Sequence, residues 1–177
     1  MTFAFGNAAF FTFLTSAPMY FMDHLFTGPA RFGMYMGSMA LAYICGSLIG
    51  GRVIRTYGSE RTLQLGLCGT FTSAWLIVLS LWTLPVSALS IISPFLLLFA
   101  CTGLVNPPSM AGAVEHHPDR AGTASGVSNS MSMTLGALAT FIAARMYDGN
   151  ILSLYLPVVL TTTLSVLAYL SLIFRRV

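Results

Sequence analysis

Charged side chains are scarce in this sequence, and lysine is absent from all 177 residues. Charged residues make up 7% of the chain, against about 25% in ordinary soluble domains, while 56% of it is hydrophobic. The net charge of +3 comes from scattered arginines rather than from a basic face, so a nucleic-acid partner is excluded. The composition predicts a protein whose partner is the lipid bilayer.

Long apolar stretches fill most of the chain. Each is close to the length of about 20 helical residues that crosses a hydrocarbon core of about 30 Å. The first is too long for a signal peptide and lacks a basic start and a cleavage site, so it is interpreted as a true span. We predict an all-α, polytopic membrane protein that forms one six-helix bundle over residues 1–177, with helices near 3–23, 32–51, 62–82, 88–112, 122–145 and 152–174.

The arginines predict the orientation, because positively charged loops stay on the cytoplasmic side of a membrane. Six of the eight fall on one side of the predicted spans and two on the other. Both termini are therefore expected to be cytoplasmic, in the inner (cytoplasmic) membrane, with Trp82 and Tyr147 at the outer interface. The six are Arg52, Arg55, Arg61, Arg120, Arg175 and Arg176, and the two are Arg31 and Arg145.

Nothing in the sequence indicates a metal, cofactor or catalytic site. The segment EHHPDR contains Glu115, His116, His117 and Asp119, but adjacent histidines project apart and no second cluster completes a site, so a solvated turn is expected. Ser128 follows glycine and valine as in some intramembrane proteases, yet all three histidines lie near helix ends, and an enzyme is not predicted. The three cysteines, which lack metal or redox spacing, are Cys45, Cys68 and Cys101.

A weak internal repeat appears when the chain is shifted by 90 residues. Three helices separate the two copies, so equivalent positions lie on opposite membrane faces, as in the inverted 3+3 repeats of transporters. The matched pairs are Thr12 with Thr102, Pro18 with Pro108, Gly46 with Gly136, Leu48 with Leu138, Arg55 with Arg145 and Tyr57 with Tyr147.

Three segments resemble one transporter family. GGRVIRTYGSERTLQLG (50–66) is similar to the loop between helices eight and nine of major facilitator superfamily drug exporters. GLVNPPSMAGAVEHHPDRAGTASG (103–126) and LTSAPMYF (14–21) resemble the helix ten to eleven region and helix seven of the Bcr/CflA group. The resemblance implies the C-terminal six-helix half of a twelve-helix, proton-coupled multidrug exporter, whose partners are small drug-like substrates and an N-terminal half or a second copy.

The cytoplasmic-loop motif departs from the family pattern. Ile54 stands where the superfamily motif usually has an acid, so a charge-relay role is not carried over. Orientation by positive charge is an equal alternative to gating for this loop. Because all five acids lie at predicted helix ends or loops, the proton site is expected in the other half. The motif residues are Arg52, Arg55, Gly58, Glu60 and Arg61.

Small residues at four-residue spacing indicate close helix packing. They lie in the second and fifth helices, which in the resembled fold face the other half, although packing within this half is an equal alternative. The glycines are Gly33, Gly37, Gly46 and Gly50 in the second helix, and Gly122 and Gly126, followed by Ser130, in the fifth.

Polar stripes on the first and fourth helices are candidates for the substrate cavity. Polar groups at that depth need partners or water, so the stripes are expected to face each other or a cavity, unless Asn106 merely bonds a neighbouring helix. The alternative function is a free-standing six-helix protein that acts as a homodimeric transporter or an interaction subunit. The stripes are Thr12, Ser16 and Tyr20, and Thr102, Asn106 and Ser109.

Overall fold

Helices make up almost all of the described structure, which is a computed structural model covering residues 2–23, 28–83, 87–115, 121–146 and 151–174. This confirms the all-α, six-helix architecture predicted from the apolar stretches. The helices are α1 (Thr2–Asp23), α2 (Pro29–Tyr57), α3 (Ser59–Thr83), α4 (Ala88–Glu115), α5 (Ala121–Arg145) and α6 (Ile151–Phe174).

The end of α2 differs from the prediction, which placed it at residue 51. The helix continues to Tyr57, and Gly58, with φ of 83°, ends it by donating its N–H to the Ile54 carbonyl at 2.9 Å. A helix satisfies its own backbone groups, so it can run past the apolar core into water, whereas hydropathy marks only the apolar part. Arg52 and Arg55 lie exposed on this extension.

All six helices are long enough to cross a bilayer. Among the described residues, α2, α5 and the segments Ser59–Ser80 and Ala88–Ser109 are long and apolar enough to span a bilayer. α1 and α6 are likewise apolar along most of their length. At 22 and 24 residues, both helices still match the roughly 20 residues that a span requires.

The packing of the helices follows the internal repeat. α2 and α3 pack mainly on α4, while α5 and α6 pack mainly on α1. Exchanging the first three helices for the last three therefore reproduces the same arrangement of neighbours. Short connections reverse the chain at each step, so a helix and its copy three positions later run in opposite directions, as an inverted repeat requires.

Aromatic rings fill the space between α1 and α4. The Phe13 and Phe95 ring centroids lie 4.0 Å apart, and Phe99 packs against both Phe13 and Phe10, at 5.8 and 4.9 Å. Tyr155 of α6 extends the series from Phe95 at 5.9 Å. The interior of the bundle is thus a packed aromatic core, and any large substrate cavity has to lie on its surface.

Candidate functional site

The α1 stripe, predicted to face either the α4 stripe or a cavity, lies inside the bundle. Thr12, Ser16 and Tyr20 are 0%, 1% and 6% exposed, and the Ser16 Oγ has no hydrogen-bond partner among the described residues. The opposite face of α1 is the exposed one, with Leu14 and Met22 at its surface. The α1 stripe therefore packs in the interior of the bundle and does not line its surface.

Thr102, from the α4 stripe, lines a small void between α1, α3, α4 and α6. The void measures about 10 Å³, room for about one water molecule. The Thr102 hydroxyl donates to the Leu98 carbonyl at 2.8 Å, and Thr70 and Thr162 bond carbonyls of their own helices in the same way. This void is far smaller than the roughly 300 Å³ or more of a ligand pocket.

Asn106 and Ser109, the other two members of the α4 stripe, are half-buried. The Asn106 Nδ2 donates to the Tyr43 hydroxyl of α2 at 2.7 Å. The Ser109 Oγ is buried without a partner among the described residues. Tyr43, also half-buried, has its ring centroid 6.4 Å from that of Phe10 in α1. Side chains of α1, α2 and α4 therefore meet around Tyr43, a residue that the sequence analysis did not single out.

The exposed surface of α5 carries polar side chains among apolar ones such as Met133 and Phe141. Asn129, Ser130 and Thr134 are exposed along the helix, and the Thr134 hydroxyl donates to the Ser130 carbonyl at 2.9 Å. Lipid tails offer no hydrogen bonds, so an exposed amide such as that of Asn129 is costly at membrane depth. This face is suited to water or to another protein surface.

The glycines of α2 form two groups. A Cβ at Gly46 would overlap the Ala100 carbonyl of α4, and one at Gly50 would lie 3.2 Å from the Leu104 carbonyl oxygen. From the other side, a Cβ at Gly103 would collide with the Tyr43 carbonyl. These three glycines let the backbones of α2 and α4 approach closely. Gly33, in contrast, faces open space.

The same division applies to α5. A Cβ at Gly136 would lie 2.6 Å from Cδ2 of Phe11 in α1. At the remaining predicted packing positions, an added Cβ would meet no atom of the described residues within 4 Å. These positions are Gly33, Gly37, Gly122 and Gly126, all of which are exposed.

The cytoplasmic-loop motif forms a tight turn tied to α4. Gly58 adopts the left-handed conformation that favours glycine, and its carbonyl accepts a bond from the Thr62 hydroxyl at 2.7 Å. The Ser59 Oγ donates to the Pro108 carbonyl at 3.2 Å. This bond places the turn at the same end of the bundle as the C-terminal end of α4. The charged members of the motif, Arg52, Arg55, Glu60 and Arg61, are exposed.

Several residues discussed from the sequence cannot be placed. Glu115 is the last residue of α4, but the rest of the EHHPDR turn lies outside the described residues. Trp82, expected at the outer interface, is 87% exposed at the end of α3. The residues outside the described structure are His24, His116, His117, Asp119, Arg120, Tyr147, Asp148, Arg175 and Arg176.

The fold and its surfaces define a multi-pass helical membrane protein, whose two three-helix repeats are typical of secondary transporters. The profile of the Major Facilitator Superfamily matches residues 1–141, and the chain belongs to that superfamily. Members of this superfamily are transporters rather than enzymes.

A curated relative gives a narrower likeness. The chain is 24% identical over 181 residues to the bicyclomycin resistance protein homolog of Haemophilus influenzae. The alignment covers 99% of this chain and 43% of that protein, so the chain spans less than half of the relative's length. No solved structure gives a significant match.

Proposed function

We propose that this chain is one six-helix half of a proton-coupled multidrug efflux transporter of the cytoplasmic membrane, which exports small amphipathic compounds. Membership of the superfamily supports transport. The resistance named for the Haemophilus influenzae relative supports drug export, and the coverage of 43% of that relative supports a half-length unit.

The observation that carries the half-transporter assignment is the exposed amide of Asn129 on α5. It lies among exposed apolar side chains such as Met133 and Phe141, at a depth where lipid satisfies no hydrogen bond. The Thr134 hydroxyl bonds its own helix, so the amide is the group that needs a partner from outside the bundle. A second six-helix half, or the aqueous cavity between two halves, supplies that partner.

The burial of whole helices agrees with this assignment. Of their most apolar segments, only 11% of α2 and 17% of α5 are buried, against 50% of α4. α2 and α5 are also equivalent in the repeat, and both carry glycines that face open space. We assign these two helices to the contact with the other half, where Gly33, Gly37, Gly122 and Gly126 allow close helix approach.

Proton coupling is assigned to the missing half. Coupling uses an ionisable side chain within the membrane. In the described helices the acids Asp23, Glu60 and Glu115 lie at helix ends, and Asp119 and Asp148 belong to connecting segments. This half contributes the substrate surface rather than the proton site.

Among the six cavity candidates, Asn106 is the one placed to contact substrate, since it is only half-buried and the Ser109 Oγ is buried. Thr12, Ser16 and Tyr20 hold α1 within the bundle, and Thr102 packs around the small void. Substrate contact is therefore proposed on α4, beside the tandem prolines Pro107 and Pro108.

Everted membrane vesicles test the proposal. Vesicles with this chain alone are expected to show no drug-induced proton release, whereas vesicles in which it is joined to an N-terminal six-helix half of the same superfamily should show release that an uncoupler abolishes. Proton-coupled export by this chain alone would overturn the half-transporter assignment and favour a homodimer. A lack of export by the joined protein would overturn the efflux function.

A further inference from the structure

Tyr43 lies at the midpoint of the longest helix. α2 has 29 residues, from Pro29 to Tyr57, so fourteen residues stand on either side of Tyr43. Transporter substrate sites are built near the bilayer midplane. The apolar part of α2, predicted at 32–51, is centred within two residues of Tyr43, so Tyr43 lies near that depth, and its half-burial leaves part of the side chain accessible.

The hydrogen bond from Asn106 fixes how the phenol can act. Asn106 Nδ2 donates and the Tyr43 oxygen accepts at 2.7 Å, so the hydrogen of the phenol is left to donate to something else. The Phe10 ring, 6.4 Å from the Tyr43 ring, flanks the same position from α1. The amide holds the phenol in place, and the neighbouring ring offers an apolar surface beside it.

The charges near Tyr43 are distant. On α2 the nearest charged side chain is Arg52, nine residues or about 13 Å along the axis at 1.5 Å per residue. Asp23 and Glu115 are the last residues of the neighbouring helices α1 and α4. The buried polar side chains of the described bundle are hydroxyls of threonine, serine and tyrosine, none of them charged at neutral pH. Within the described part of this half, a group bound at Tyr43 therefore meets hydrogen-bonding groups and rings but no countercharge.

We propose that Tyr43, positioned by Asn106, is a specificity-determining residue whose phenol donates a hydrogen bond to an uncharged acceptor of the substrate, such as a carbonyl, ether or hydroxyl oxygen. Desolvation of an ion without a partner is expensive, so this site selects neutral acceptor groups over charged ones. The inference rests on the proposed efflux function and names the substrate class that this half recognises.

The test uses the complete transporter, in which this chain is joined to its other half, and two probe compounds. Chloramphenicol is uncharged and has amide and hydroxyl acceptors, whereas tetraphenylphosphonium is a cation with no hydrogen-bonding group. Tyr43→Phe removes only the hydroxyl. It should reduce chloramphenicol export and binding by about three- to tenfold, the effect of one hydrogen bond, and leave tetraphenylphosphonium within about twofold of the parent protein.

Two variants complete the design. Tyr35→Phe is the matched control, because Tyr35 is another half-buried tyrosine of α2 that packs on Phe21 at 6.1 Å, and it should change neither compound. Asn106→Leu removes the group that positions the phenol and should weaken chloramphenicol selectively. Equal amounts of protein in the membrane and equal thermal stability establish that the variants are folded.

The outcomes are distinguishable. If the parent transporter exports either compound and Tyr43→Phe changes both or neither, the role of Tyr43 is refuted while the efflux function stands. Export of the cation alone by the parent protein refutes the neutral substrate class. If the parent protein neither binds nor exports any compound of a wider drug panel, the efflux function fails and the inference fails with it.

Discussion

Gly136 of α5 lies directly against the Phe11 ring of α1, so that an added Cβ would be 2.6 Å from Cδ2. Its repeat equivalent, Gly46 of α2, lies against the Ala100 carbonyl of α4. The two contacts occupy equivalent places in the inverted repeat, but one partner is a side chain that can rotate and the other is fixed backbone. The two three-helix repeats therefore differ in how well each helix crossing tolerates an added methyl group.

Gly46→Ala is expected to be strongly destabilising, because the new methyl group would overlap the Ala100 carbonyl and force α2 away from α4. Overpacking of this kind costs about 1–3 kcal/mol, and backbone contacts are at the upper end of that range. Thermal unfolding of the detergent-solubilised protein measures the loss. Gly37→Ala, on the same helix but in open space, is the control and should leave the unfolding temperature unchanged.

Gly136→Ala should be milder and should be rescued from the partner side. The Phe11 ring has to move by about 0.8 Å to bring the 2.6 Å approach to the 3.4 Å of an ordinary contact, and Phe11→Leu makes room for the new methyl group. The double variant should be more stable than the sum of the two single changes predicts, by about 0.5 kcal/mol or more in a double-mutant cycle. Strict additivity would show that the two side chains do not meet in the folded protein.

Asn129→Leu should weaken the association of this chain with the other half. The change removes an exposed amide that lipid cannot satisfy, so the isolated chain should keep or gain stability. Co-purification of the two separately expressed halves measures association and should fall. Thr72→Val is the control, since Thr72 is an exposed α3 residue whose hydroxyl bonds its own helix at Gly69. An equal fall for both variants would contradict an interface role for α5.

The turn at Gly58 is expected on the cytoplasmic side. Three exposed arginines, Arg52, Arg55 and Arg61, flank it. After the native cysteines are replaced, a membrane-impermeant maleimide applied to intact cells should label Asn150→Cys. It should label Ser59→Cys only after the membrane is permeabilised. The reverse pattern would invert the topology.

The helices could be predicted from the sequence because the apolar stretches are long and the breaks between them are sharp. The predicted span 122–145 compares with Ala121–Arg145 in the structure, and 88–112 with Ala88–Glu115. The largest difference is at the end of α2, where residues 52–57 remain helical beyond the apolar core. Hydropathy measures where lipid ends, whereas the glycine turn decides where the helix ends.

The surface of the candidate site was harder to predict, because in a membrane both the buried and the lipid-facing sides of a helix are apolar. The spacing of Thr12, Ser16 and Tyr20 indicated a common face, but not that this face points inward. Tyr43 was missed because its partner Asn106 lies 63 residues away and no short-range pattern connects them. Such pairs depend on tertiary packing.

The length of α2 has a mechanical consequence. Its 29 residues extend about 43 Å, well beyond a hydrocarbon core of about 30 Å. The backbones of α2 and α4 approach closely at Gly46, so a tilt of α2 would pivot there. Tyr57 lies eleven residues, or roughly 16 Å, beyond this contact. A tilt of about 10° would move that end by roughly 3 Å, at 1.5 Å of rise per residue. The hydrogen bond from Ser59 to Pro108 links the segment after this end of α2 to α4. A tilt of α2 would therefore either stretch that bond or move the part of α4 around Pro108.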